Sequence, residues 1–90
     1  MADLGEPTSY AVLEQGAEVY SCDGKELGTV EEVRADLQVD IFDGLVVGAR
    51  SPLAGGKRFV PGELVEEIFE RGVLLKIDAE AFAQLQDQPG

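Results

Sequence analysis

Histidine is missing from this chain of 90 residues, and cysteine occurs once, at Cys22. The first absence removes both the commonest general base and the commonest metal ligand. The second rules out an intrachain disulfide and a Cys-rich zinc site. No stretch approaches the ~20 consecutive apolar residues needed to span a bilayer. The opening residues carry Asp3 and Glu6 without a basic start or an apolar core, so they do not read as a signal peptide. The expected compartment is the cytoplasm.

Positive charge is also scarce. Seven Lys and Arg stand against eighteen Asp and Glu, a net charge of −11. Nucleic-acid binding draws most of its affinity from cations that neutralise phosphates, and anionic membrane surfaces attract basic segments. Neither partner suits this composition. An acidic surface serves solubility or high salt; a face for a basic partner is the second reading.

What is present suffices for one small domain. Hydrophobic residues make up 44% and charged residues 28% of the chain, which excludes wholesale disorder. Surface scaling at this length predicts burial of about 63% on folding, enough for one modest core.

The chain divides at residues 1–12, 13–78 and 79–90. Residues 1–12 read as a flexible leader or an extra edge segment, with Gly5, Pro7, Thr8 and Ser9 breaking any pattern. Tyr10–Leu13 suits either a strand or one helical turn. A short strand around Val19 and Tyr20 stops at Asp23-Gly24, a strong hairpin signal. A second strand starts at Glu26. Val33, Ala35, Leu37, Val39 and Ile41 then alternate with polar residues, the period of a strand. One strand of that length is too long, so a turn is expected within 36–40. Val30 falls out of phase with Val33, which predicts a bulge near Glu31-Glu32. Asp43-Gly44 is a further turn or bulge signal. Leu45-Val46-Val47 reads as a strand buried on both faces, Ser51–Gly56 as a loop, and Lys57–Val60 as a strand ended by Pro61-Gly62. A helical turn at Glu63–Val65, a strand at Val65–Phe69 and a final strand through Val73, Leu75 and Ile77 follow. Asp78 is an N-cap, with Ile77 and Phe82 at the staple positions of a short C-terminal helix. Gln86–Gly90 reads as a fraying tail. The expected architecture is mainly β: a small antiparallel barrel or roll of five to six short strands with a short C-terminal helix.

The spacing Gly16-x-x-Val19-Tyr20, Asp23-Gly24 and Leu27-Gly28-x-Val30-x-x-Val33 resembles the opening of the PRC-barrel family. Gly44–Val47, Arg58-Phe59-Val60-Pro61, Val65 and Val73-x-Leu75 resemble its later strands, so the likeness covers about residues 13–78. It implies a small β-barrel that docks onto other proteins, without cofactor or catalytic motif. One position departs: the residue after Phe-Val-Pro, often large in the family, is Gly62.

Candidate sites are few. Cys22 sits beside Asp23, which opposes thiolate formation, and no His assists it. Asp36, Asp40 and Asp43 lack the alternating ligands and closing Glu of a calcium loop. Glu63, Glu66, Glu67 and Glu70 have the spacing of a solvated face rather than of a confined acid–base pair. Gly55-Gly56-Lys57 and Gly24-Lys25 do not complete a phosphate loop, and Ser9, Ser21 and Ser51 have no activating base. Among the aromatics, Phe42 falls opposite the alternation that ends at Ile41 and is expected to be exposed. Phe42, Phe69 and Tyr10 are the candidate interface residues. The expected function is therefore a non-catalytic interaction or adaptor module, acting through its barrel surface or as a homodimer, without direct nucleic-acid contact. The alternative is a small-ligand or divalent-cation barrel using the acidic turns.

Overall fold

The strand segments join into a single six-stranded sheet, four of its five pairings made between strands consecutive in the chain. The computed structural model describes residues 4–36, 38–49 and 57–85. Its strands are β1 (Glu18–Tyr20), β2 (Glu26–Asp36), β3 (Ile41–Ala49), β4 (Lys57–Pro61), β5 (Val65–Phe69) and β6 (Gly72–Leu75), followed by helix α1 (Ala79–Ala83). Single 3-10 turns lie at Tyr10–Val12 and Gly62–Leu64. The expected loop at Ser51–Gly56 and tail at Gln86–Gly90 fall outside the described residues, as does Leu37.

The strand order is β4-β3-β2-β1-β6-β5. Four of its pairings are antiparallel, and β1 with β6 is parallel. The parallel pair arises where two units meet, the β1–β4 meander and the β5–β6 hairpin. No hydrogen-bonded pairing joins β4 to β5, so the sheet is not closed. Yet these two edge strands are consecutive in the chain, joined through the 3-10 turn at Gly62–Leu64. A connection that short draws opposite edges toward each other, and the sheet must roll. The radius of gyration, 12.0 Å, matches the ~12 Å of a compact fold of this length.

The roll encloses Val19, Leu45, Val47, Val60, Val73 and Leu75, none of them solvent-exposed. Val46 is equally buried, and strand alternation places it on the other side of β3. Four bulges bend the sheet, and the extra residue is acidic in three of them: Glu31 on β2, Asp43 on β3 and Glu66 on β5, with Leu27 on β2 as the fourth. A bulge inverts the inward–outward alternation beyond it. Val30 and Val33 thereby share the core side despite their odd spacing.

Two expectations are corrected. β6 stops at Leu75 rather than running to Ile77, because the Lys76 amide turns to the Leu64 carbonyl and the Ile77 carbonyl accepts from Cys22. Phe42 is half-buried and packs on the core, not exposed; the Asp43 bulge brings it to the same side as Leu45. Ile41 takes the exposed position instead, at 51%.

Ser21, the one buried polar side chain among the described residues, holds the β1–β2 turn. Its hydroxyl donates to the Asp23 carboxylate and accepts from the Lys25 amide. That bond is the main reason the Asp23 carboxyl is held below its ordinary 3.8. Residues 4–8 run along β5: the Thr8 amide donates to Ile68, and the carbonyls of Glu6 and Leu4 accept from Glu70 and Arg71.

Candidate functional site

One pole of the roll gathers the turn between β2 and β3, the 3-10 turn at Tyr10–Val12 and the 3-10 turn at Gly62–Leu64. The β2–β3 turn reverses at Asp40, in left-handed conformation with φ of 56°. Asp is among the residues that tolerate this because its short polar side chain bonds locally. Asp36 helps start the reversal by accepting the Gln38 amide at 3.0 Å.

Tyr10 ties the leader to this turn in two ways. Its ring stacks on Phe42 with centroids 5.0 Å apart and planes at 15°, and its hydroxyl donates to Asp40 Oδ1. The hydrogen bond to Asp40 is the main cause holding the Tyr10 phenol above its ordinary 10.0; desolvation and the charges of Asp40 and Asp36 add to it. Ser9 positions the ring by capping the 3-10 turn, its hydroxyl accepting from the Ala11 amide at 3.0 Å.

Gly62 completes the contact from the other side. A Cβ there would lie 2.9 Å from the Phe42 carbonyl oxygen and 3.0 Å from its Cδ2. The space that a side chain at Gly62 would take is thus filled by Phe42. A shallow open depression of about 270 Å³ follows, lined by Thr8, Tyr10, Phe42, Val65, Glu66 and Glu67 among others.

The segments that carry this stack also expose aliphatic side chains. Val12 is 60% exposed and Val39 59%, and with Ile41 they are the large aliphatic side chains standing most clear of the fold among the described residues. Val39 and Ile41 flank Asp40, and Val12 follows Tyr10 by two residues.

Two of the three candidate interface residues, Tyr10 and Phe42, therefore meet. Phe69 does not join them. It lies at the opposite end of β5 from the Gly62–Leu64 turn, paired with Gly72 and bridged to Pro7. Val12, Val39 and Ile41 escaped sequence reasoning, which set Val39 and Ile41 on a continuous alternating face. The available signal was the turn within 36–40: its placement exposes both.

The remaining candidates sit apart. Cys22 is exposed on the β1–β2 turn. Asp36, Asp40 and Asp43 serve a turn, a phenol and a bulge, and no group of three acidic or thiol side chains among the described residues could hold a metal ion. Glu63, Glu66, Glu67 and Glu70 are all exposed, and Glu70 accepts the Glu6 amide. A second open depression, of about 400 Å³, is lined by Glu14, Glu18, Glu70 and Arg71 among others, and none of these four is buried. Lys57 lies 4.0 Å from Glu31. No helix among the described residues is long and apolar enough to cross a membrane.

No curated protein matches the chain. The sequence model of the PRC-barrel domain matches residues 14–82, most of the length and every strand of the sheet. This chain belongs to the PRC-barrel domain family.

Proposed function

We propose that this PRC-barrel chain is a non-catalytic protein-docking module of the cytoplasm, and that it docks through the pole built on Tyr10 and Phe42. The observation that carries the reading is the exposure of Val12, Val39 and Ile41 on the segments that the Tyr10–Phe42 stack and the Tyr10–Asp40 hydrogen bond tie together. Exposed aliphatic side chains on joined segments suit an interaction surface, and the half-buried aromatic pair is held by Asp40 and Gly62, so ordering it on binding costs little.

Self-association is a second mode, favoured by the outer edge of β4, where no strand pairs among the described residues. That edge is short and ends in Pro61, which blunts it.

The docking reading is tested by affinity capture from the source lysate, comparing the native chain with the Val39→Asp/Ile41→Asp double variant. The variant keeps the core, so its circular dichroism should match the native spectrum. Protein retained by the native chain and lost from the folded variant is the expected result. The same proteins captured by both would refute docking at this pole.

A further inference from the structure

The apolar part of this pole is too small to hold a partner alone. Burying the exposed half of three aliphatic side chains supplies less than half of what micromolar binding requires. The rest must come from polar groups, and the charged ones that the described residues place at the pole are of one sign. Asp36, Asp40 and Asp43 border Val39 and Ile41; Glu63 lies on the Gly62–Leu64 turn, and Glu66 and Glu67 line the depression beside Tyr10 and Phe42.

The segregation is written into the chain. No Lys or Arg occurs before Lys25, between Ala35 and Ala49, or between Phe59 and Glu70, and these stretches build the pole. Three of the described cations that flank these stretches, Arg34, Lys57 and Arg58, have partners of their own. Arg34 lies 3.5 Å from Glu32, Lys57 lies 4.0 Å from Glu31, and Arg58 donates to the Leu85 carbonyl at 2.7 Å.

We infer that the occupant of this pole is a basic protein segment, with one or two apolar anchors set among Lys and Arg. The inference rests on the docking reading above and adds the chemistry of the partner. A second copy does not fit here, because face-to-face pairing would oppose each copy's Asp36, Asp43 and Glu63 to their equivalents, and like charges across an interface are costly. Nucleic acids and anionic lipids fail on the same ground. A cationic segment instead gains from the field of the whole chain, which speeds its approach.

The test is a selection from a phage-displayed library of random linear peptides on the immobilised full-length chain at physiological ionic strength. The enriched peptide is then titrated against three folded variants. Sequences rich in Lys and Arg around apolar residues are expected. The Asp36→Asn/Asp43→Asn/Glu63→Gln variant should bind the selected peptide about tenfold more weakly, the sum of three exposed charge pairs. Neutralising Glu14, Glu26 and Glu80, which lie outside the pole, should change binding less than about twofold. Val39→Asp/Ile41→Asp should abolish it. Enrichment of neutral or acidic peptides, no enrichment at all, or equal weakening by the two neutralised variants would overturn the inference. Loss of binding in Val39→Asp/Ile41→Asp without loss in the neutralised pole would overturn the basic partner and leave docking intact. Unchanged binding by Val39→Asp/Ile41→Asp would remove the pole itself.

Discussion

A methyl group at Gly44 would sit 2.3 Å from the Val60 carbonyl oxygen and 2.8 Å from Phe59 Cζ, on a backbone whose φ is 156°. The β3–β4 pair leaves no room there. At Gly24 the φ is also positive, 86°, but nothing lies within 4 Å. The two positions separate steric from conformational cost. Gly44→Ala should lower unfolding stability by about 2–4 kcal/mol, and Gly24→Ala by about 1 kcal/mol, both read by urea denaturation. Equal losses would show that the strands can part around a Cβ. Such positions were legible only in part. Asp43-Gly44 signalled a turn or a bulge, but the bulge's effect on parity is a matter of register, and register depends on the partner strand. For that reason Phe42 read as exposed when it is half-buried.

At the level of elements, α1 is too short to stand alone and persists because both its ends are tied. Asp78 accepts the Ala81 amide at 2.8 Å, while Phe82, 2% exposed, seats in the core beside Leu75 and Ile77. Phe82→Ala should cost about 3–5 kcal/mol by emptying that seat, and Asp78→Ala about 1 kcal/mol by removing the cap. Chemical denaturation monitored by far-ultraviolet circular dichroism measures both. A loss under 1 kcal/mol for Phe82→Ala would mean that the helix merely rests on the sheet. The cap and staple were readable because they are local, set by Asp78, Ile77 and Phe82 within one turn. The hairpin at Asp23-Gly24 was readable for the same reason. The parallel β1–β6 pairing was not, since nothing in Glu18–Tyr20 or Gly72–Leu75 identifies a partner more than fifty positions away. The pairing of residues 4–8 with β5 likewise leaves no periodic trace, because backbone groups make it.

For the molecule as a whole, charge and shape pull in different directions. The chain carries −11 on a body only 20 Å deep along its shortest axis, so two copies repel unless salt intervenes. The screening length falls from ~10 Å at 0.1 M to ~3 Å at 1 M ionic strength. Pairing through the β4 edge should accordingly be salt-promoted. In light scattering the mass should stay at 9.6 kDa in dilute buffer and rise with added potassium chloride and protein concentration. A mass constant under all conditions would dismiss self-association. The mainly β class and the acidic surface were evident from composition and alternation, whereas the docking pole was not. The segments that carry Val12, Val39 and Ile41 meet only because Tyr10 stacks on Phe42 and bonds to Asp40.

The neighbourhood of β1 and β6 also bears on how the chain folds. The meander from β1 to β4 pairs strands that follow one another in the chain, but β1 gains its second partner only when Gly72–Leu75 folds back beside it. The interior around Val19 and Val73 thus closes late. A chain caught before that step presents an open strand to its surroundings, and its negative charge opposes edge-to-edge pairing.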